Sequence, residues 1–411
     1  MTLGIDAINA YVGRASLDVR TLFEARGLDM RRFGNLLMRQ KSVNLPFEDS
    51  VSNAVNAARP LIDELGEDER NRIELVVVGT ESGLDFGKPI STYVHDLLGL
   101  GRACRSFEVK HACYGGTAAL RTAVGLLEQS PDPAALALVV AADAAGAAAR
   151  DTYWEPSQGA GAVAMIVSRN PRVLRLDRGA AGFHSYEVMD TLRPRPEMEA
   201  GDSDLSLLSY ITCLEQSYRH YAERVPGTDL VDTFERLVLH TPFAGMVKSA
   251  HRTLLRKIKG LSPEETEADF ERRTAPSLTY CTQVGNVYSA ALYLALCSAV
   301  DSDGPHAGPR RIGLFSYGSG CASEFYSGVL TASAGERVAA RDLPGAIAER
   351  HALTMEEYEP IADGAARRMC GVRNGTFDPE EFPGIYRSRF AGQGLLVLEE
   401  IRDFHRRYRW T

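Results

Sequence analysis

The 411-residue chain lacks several things at once, and each absence removes a class of function. No uninterrupted apolar run approaches the roughly 18–20 residues that a membrane-spanning helix requires, so no membrane association is expected. There is no Cys-x-x-Cys pair, and the seven cysteines are scattered and odd in number. That pattern argues against a disulfide framework or a structural zinc site and for a reducing compartment. The opening Met1-Thr2-Leu3-Gly4-Ile5-Asp6 has neither the basic region nor the apolar core of a secretory signal, so a cytoplasmic location is expected. Net positive charge is missing as well. Lys and Arg total 46 against 54 Asp and Glu, a formal charge of −8, which gives no general attraction to nucleic acid. The basic run from Arg252 to Lys259 reads either as a solvated helix face or as a contact for an anionic partner.

What the chain does have is a succession of short apolar, β-branched runs separated by helical patterns. Ile73–Val78, Leu136–Ala141, Ala162–Val167, Leu237–Leu239 and Ile312–Phe315 are predicted strands. None alternates apolar with polar residues, as expected of strands buried on both faces. Helices between them supply crossovers, which makes the fold class α/β. The polar stretch Gly260 to Ser277 reads as a surface excursion, and the charged segment after Ser333 as a mostly helical C-terminal appendage. The two halves also echo each other. In the first, Val76-Val77-Val78 runs into Gly79-Thr80-Glu81-Ser82, and Cys113 later precedes a small-residue helix starting near Gly116. In the second, Leu237-Val238-Leu239 runs into His240-Thr241-Pro242-Phe243, and Gly285-Asn286 precedes an almost wholly apolar helix over Val287 to Val300. Two equivalent halves facing one site would produce that pattern.

Cys113 lies in His111-Ala112-Cys113-Tyr114-Gly115-Gly116, followed by Leu120, Val124 and Leu127 at helical spacing. A thiol at a helix start is placed where the dipole and free N–H groups favour thiolate and can hold an oxyanion. A small buried cysteine packed against glycines is the bland reading. Glu81 ends a buried strand, where an unpaired carboxylate is costly and burial raises its pKa towards that of a general base or acid. Lys88 is the obvious structural partner that would make it inert. His240 could be a hydrogen-bonded core residue or a catalyst, and Asn286 a helix cap or a donor to a carbonyl. Ser316-Tyr317-Gly318-Ser319-Gly320 could offer a backbone N–H to a thioester, but it lacks phosphate-loop spacing. Cysteine, histidine and asparagine in this order also suit a cysteine acyl hydrolase. Glu81 separates the two chemistries, because hydrolysis needs no carboxylate at a substrate α-carbon.

Taken together, Gly79-Thr80-Glu81-Ser82-Gly83, Ala112-Cys113-Tyr114-Gly115-Gly116, Glu155-Pro156-Ser157-Gln158-Gly159-Ala160-Gly161-Ala162, His240-Thr241-Pro242-Phe243, Gly285-Asn286-Val287-Tyr288 and Tyr317-Gly318-Ser319-Gly320 resemble the 3-hydroxy-3-methylglutaryl (HMG) synthase family of the thiolase-fold superfamily. The resemblance runs the length of the chain. Arg32-Phe33-Gly34-Asn35-Leu36-Leu37-Met38 and Leu45-Pro46-Phe47-Glu48-Asp49 resemble the branch that works on acyl carrier protein (ACP) in polyketide β-branching. It implies a thiolase-like five-layered αβαβα fold from two pseudo-equivalent halves, 1–170 carrying Glu81 and Cys113 and 171–411 carrying His240, Asn286 and the appendage. It implies Cys113 as acyl acceptor, Glu81 as base and acid, and His240 with Asn286 on the acceptor's thioester carbonyl. The N–H groups of Cys113 and Ser319 would form the oxyanion hole, and Tyr317 and Asp143 would belong to the substrate site. The implied reaction loads an acetyl or propionyl group from a donor acyl-ACP onto Cys113. It then adds that group to the β-ketone of an acceptor β-ketoacyl-ACP and hydrolyses the link. The implied protein is a homodimer without metal or organic cofactor.

Three departures bear on the substrate. CoA-using relatives carry a lysine soon after the histidine motif, where this chain has Gly245; that favours ACP over CoA and makes Lys248, Arg252 and Arg256 candidate carrier or pantetheine-phosphate contacts. Ala141-Ala142-Asp143-Ala144-Ala145-Gly146 keeps the family's aspartate without the following aromatic, and Cys321 replaces a common alanine. Both changes leave acetyl versus propionyl open. A decarboxylating or thiolase-type condensing enzyme on the same fold would share most of these motifs, and a catalytically silent carrier-binding module would share the surface without the chemistry.

Overall fold

The computed structural model describes residues 2–144 and 149–411. Nine strands form the main sheet system: β1 (Gly4–Tyr11), β2 (Ile73–Gly79), β3 (Arg105–Val109), β4 (Leu136–Ala144), β5 (Ala160–Ser168), β6 (Leu174–Ser185), β7 (Arg236–Leu239), β8 (Arg310–Gly318) and β9 (Ala322–Leu330). The order is β7-β8-β9-β6-β1-β5-β4-β2-β3. The helices that matter are α1 (Ser50–Asp63), α2 (Ile90–Leu97), α3 (Gly115–Gln129), α4 (Ser203–Arg224), α5 (Ala244–Lys259), α6 (Pro263–Arg273), α7 (Ala291–Ser302) and α8 (Met355–Asp363).

Side-chain alternation sorts each buried strand between two cores. On β2, Leu75 and Val77 face a central core with Ala137 and Val139 of β4, while Val76 and Val78 face an outer core with Leu138 and Val140. On β7, Val238 faces the central core and Leu237 and Leu239 face a third. This is why the strands carry no polar alternation: neither face meets water. Helices α3 and α7 fill the central core, α1 covers the outer face of one half, and α4 and α5 cover that of the other. Helix, sheet, helix, sheet, helix gives the five layers. The strands of the two halves pair where β1 meets β6, at Gly4–Arg175 and Ile5–Leu174. Helix α7 is apolar all round because sheets enclose it; from Ala291 to Val300 every residue is buried.

Two segments differ from the sequence expectation. Residues 260–277 lie at the surface, but as a helix, α6, with one face in solvent and Thr266, Asp269, Phe270 and Arg273 turned into the core. Ser262 caps α6 with a capping box and Pro263 occupies its first turn. Its Arg273 is fully buried, bonding Asp269 at 2.7 and 2.8 Å and the Leu230 carbonyl at 2.8 Å. Glu264, Glu265, Glu271 and Arg272 are exposed, as the charged sequence suggests, whereas Asp269 and Arg273 form a satisfied internal ion pair. The C-terminal appendage carries its helices but also a three-stranded sheet (Gly375–Thr376, Leu396–Arg402, His405–Trp410) that the charged sequence does not announce. Asn56 of α1 ties it down, with Nδ2 donating to the Leu396 carbonyl at 3.1 Å and Oδ1 accepting the Leu396 N–H at 2.8 Å. Among the described residues, no helix is long and apolar enough to cross a membrane.

Candidate active site

Backbone contact brings the motifs together. A Cβ on Gly79, the last residue of β2, would lie 2.4 Å from the Gly115 carbonyl, and one on Gly116 would lie 2.3 Å from the Ser289 carbonyl. Only glycine allows these approaches. They set Glu81, just past β2, beside Cys113, just before α3, and both against the loop that carries Asn286. The Cys113 thiol donates to Glu81 Oε2 at 3.4 Å. Gly318 presses on the other side of the same turn, where a Cβ would meet the His111 carbonyl at 2.6 Å. The strand-end turn of β8 thus abuts the cysteine turn.

Glu81 is not held by Lys88, whose Nζ donates to Thr92 at 2.7 Å. Its cation is Arg193, at 3.1 Å, from the hairpin of Thr191–Arg195 and Met198–Gly201. Arg193 also pairs with Glu199 at 3.2 Å, and Gln158 donates to Glu199 at 3.0 Å. Burial pushes the Glu81 carboxyl up to about 7; Arg193 opposes that rise, and the charges of Asp143 and Glu199 reinforce it. Cys113 departs from the expected thiolate. Burial first, and then Glu81, hold its thiol well above the ordinary value. A helix start contributes only about 0.3–1 kcal/mol towards an anion, which is outweighed by desolvation and an adjacent carboxylate. The resting pair is therefore a neutral thiol donating to a carboxyl group.

Asp143 is a correction. It is fully buried, and both its oxygens are occupied. Oδ1 accepts the Thr80 hydroxyl at 2.8 Å and the Glu81 and Ser82 N–H groups at 2.8 and 3.0 Å. Oδ2 accepts the Ser289 N–H at 3.0 Å and the Ser289 hydroxyl. It fixes the Glu81 turn to the Asn286 loop and offers nothing to a substrate. Ala145 and Gly146, which follow it, lie outside the described residues. Tyr317 is corrected likewise. Its hydroxyl donates to buried Asp190 at 2.5 Å, and the other Asp190 oxygen accepts the Gly320 N–H at 3.0 Å. It shapes the Ser319 turn from behind.

His240 follows β7 and is buried, its N–H donating to the Phe315 carbonyl at 2.8 Å and its carbonyl accepting the Tyr210 hydroxyl at 2.6 Å. Burial alone pushes its imidazole down to about 3, so the ring is neutral, and Nε2 has no partner among the described residues. Asn286 uses Oδ1 to accept the Tyr288 N–H at 2.8 Å, which leaves its amide hydrogens for another acceptor. The local cap and the free donor thus coexist in one side chain.

Candidate carrier contacts lie on α5. Lys248 is paired with Glu267 of α6, and Arg252 faces the same carboxylate at 3.8 Å. Arg256 is exposed. At Gly245 a Cβ would be 1.7 Å from the Asn35 carbonyl. The segment Arg32–Met38 thus packs where a longer residue would stand, so the Gly245 departure and the Arg32–Met38 motif are one structural feature. Cys321 Sγ lies 3.5 Å from Cys213 Sγ, both buried. Sequence reasoning missed Arg193, Glu199, Asp190 and Tyr210. None carries a local signal; each matters through a partner more than 25 residues away or through a hairpin no periodicity marks. Among the described residues, no three His, Cys, Asp or Glu side chains group as a metal site.

Residues 2–171 match the family described as hydroxymethylglutaryl-coenzyme A synthase N terminal, and residues 252–408 match hydroxymethylglutaryl-coenzyme A synthase C terminal. The chain is 50% identical to the polyketide biosynthesis 3-hydroxy-3-methylglutaryl-ACP synthase PksG of Bacillus subtilis, over 100% of this chain and 99% of that protein. It is 36% identical to the hydroxymethylglutaryl-CoA synthase of Enterococcus faecalis, covering 88% of this chain and 91% of the other. The crystal structure of the curacin biosynthetic pathway HMG synthase in complex with holo donor-ACP superposes with a TM-score of 0.97, at 50% identity and full coverage of both chains.

Proposed function

The chain belongs to the hydroxymethylglutaryl-coenzyme A synthase family, and from that premise we propose that it is an HMG-ACP synthase-type condensing enzyme of polyketide β-branching. The observation that carries the chemistry is the Cys113–Glu81 pair, a thiol and a carboxyl 3.4 Å apart with the carboxyl tuned to about 7. Cys113 attacks a donor acetyl-ACP thioester. The Sγ–acyl bond forms, the carrier leaves as its thiolate, and that thiolate takes up the proton that the cysteine gives up. Carboxylate Glu81 then removes a proton from the acetyl methyl, with the N–H groups of Cys113 and Ser319 holding the enolate oxygen. The enolate carbon attacks the β-ketone of a second carrier-bound thioester, whose carbonyl is held by neutral His240 and the Asn286 amide. Protonated Glu81 returns its proton to the new alkoxide. Water cleaves the Cys113 thioester, leaving a free carboxylate on a β-hydroxy-β-carboxymethyl acyl chain. Each carbon–carbon and acyl step balances without a metal or an organic cofactor.

The carrier preference rests on Gly245, where packing against Asn35 leaves no room for a lysine towards CoA phosphate. Exposed Arg256, with Arg252, is the proposed contact for an acidic carrier surface. A cytosolic homodimer divided near residue 170 belongs to the same proposal. Intact-mass analysis tests it. Acetyl-ACP adds one acetyl group, about 42 Da, to Cys113, faster than acetyl-CoA does, and Glu81→Ala is labelled yet forms no branched product. Loss of the label at full speed without an acceptor would instead mark a hydrolase.

A further inference from the structure

The far side of Glu81 opens into space that the reaction at Cys113 does not use. A cavity of about 330 Å³ is lined by Glu81, Ser82 and Arg193 at one end, and by Leu84, Ala362 and Met369 further out. Cys113 is not among its lining residues. Glu81 therefore stands as a partition: Oε2 meets the thiol and Oε1 meets Arg193, which also faces the cavity. The cavity lies between the Glu81 loop, the segment 41–50, the Arg193 hairpin and the C-terminal helix α8 with its following turn. Its outer end reaches Asp85, Phe86 and Lys110, all exposed, so it has a mouth to solvent.

The stereochemistry of the proposed condensation requires such a space. At the moment of bond formation the acceptor's β-carbon bears four groups. Its oxygen takes the proton from Glu81. The new carbon–carbon bond points to the acyl group on Cys113. The thioester arm runs to His240 and Asn286. The fourth substituent, the remainder of the acceptor chain, must leave past Glu81, away from the thiol. We propose that this cavity binds that remainder, and that longer chains trail out between Phe86 and Lys110. The walls suit a mixed chain: Leu84, Ala362 and Met369 contact alkyl segments, while Asn44, whose Nδ2 has no partner among the described residues, and Arg195 offer polar groups to its oxygens. The enzyme thereby accepts β-ketoacyl thioesters much larger than acetoacetyl, and the C-terminal appendage is a specificity element, since Ala362 and Met369 belong to it.

This inference rests on the proposed condensation. Its test compares acetoacetyl and 3-oxododecanoyl groups on one acceptor carrier protein, with acetyl-ACP as donor. Wild-type protein condenses both. Met369→Trp and Leu84→Trp, which fill the cavity from partly exposed positions, lower kcat/KM for the long chain at least tenfold relative to acetoacetyl. Acetyl loading of Cys113, read by intact mass, reports that each variant is folded. Equal losses on the two acceptors, or wild-type protein that condenses acetoacetyl but not the long chain, overturn the cavity assignment alone. Failure of wild-type Cys113 to load overturns the proposed function and this inference with it.

Discussion

Glu81 and His240 occupy equivalent places in the two halves, each one or two residues beyond a buried strand, and the same environment treats them oppositely. Burial disfavours the charged form of both, so the carboxyl rises to about 7 and the imidazole falls to about 3. The difference lies in their neighbours. Glu81 has Arg193 at 3.1 Å, which keeps its ionised form within reach of neutral pH. His240 has only burial acting on it and stays neutral. One half of the molecule therefore holds a carboxyl group that titrates near neutral pH, and the other an imidazole that stays uncharged. A twofold fold becomes an asymmetric site by the placement of one guanidinium.

The comparison breaks first at Glu81. Glu81→Gln keeps the shape and removes the proton carrier. Branched product is expected to fall by about 10²–10⁴ while Cys113 still gains acetyl mass, measured as turnover beside intact mass. His240→Ala removes one donor from the acceptor's carbonyl, worth about 10²–10³ in rate. It should spare acetyl loading, and the acceptor's kcat/KM carries the loss. A histidine acting as imidazolium would add an inflection near pH 6–7 to the acceptor profile; a neutral one adds none.

How much of this was legible from the sequence follows the same division. Cys113, Glu81, His240 and Asn286 could be proposed from sequence because each stands at a local junction, a strand end or a glycine turn before an apolar helix. The strands were legible because burial on both faces writes an unbroken apolar run. Arg193 was not, because its partner is 112 residues away and pairing is chosen by tertiary packing. The buried face of helix α6 was not legible because Arg273 and Asp269 satisfy each other inside the protein, and polarity in sequence does not say where the counter-charge is. Asp143 and Tyr317 were assigned to the substrate for the converse reason: a buried polar group looks free until its donors are counted.

A smaller effect links catalysis to stability. A carboxyl whose folded pKa lies near 7, against an ordinary 4.5, favours the folded state below the ordinary value and loses that advantage as pH rises through 7. At pH 8 the wild-type protein carries a penalty of up to about 3 kcal/mol that Glu81→Gln lacks. Urea unfolding at pH 5 and pH 8 should show the variant gaining about 1–3 kcal/mol on wild type between the two. Turnover rises over the same interval, because the base must be ionised to act.

The smallest and sharpest effect is expected from Asp143→Asn. The carboxylate accepts from Thr80, Glu81, Ser82 and Ser289 and gives up no hydrogen bond to solvent. An asparagine keeps one accepting oxygen and turns an amide N–H₂ towards the Ser289 donors or the Glu81 turn, costing about 1–3 kcal/mol. That loss alone would only mark a scaffold. Asp143 also carries a charge that raises the Glu81 pKa. Neutralising it should move the lower inflection of the pH–rate profile below that of wild type, even as the plateau rate falls. A plateau loss with an unmoved inflection would mean that Asp143 holds the turn without tuning the base, and the contrast between the two halves would then rest on Arg193 and burial alone.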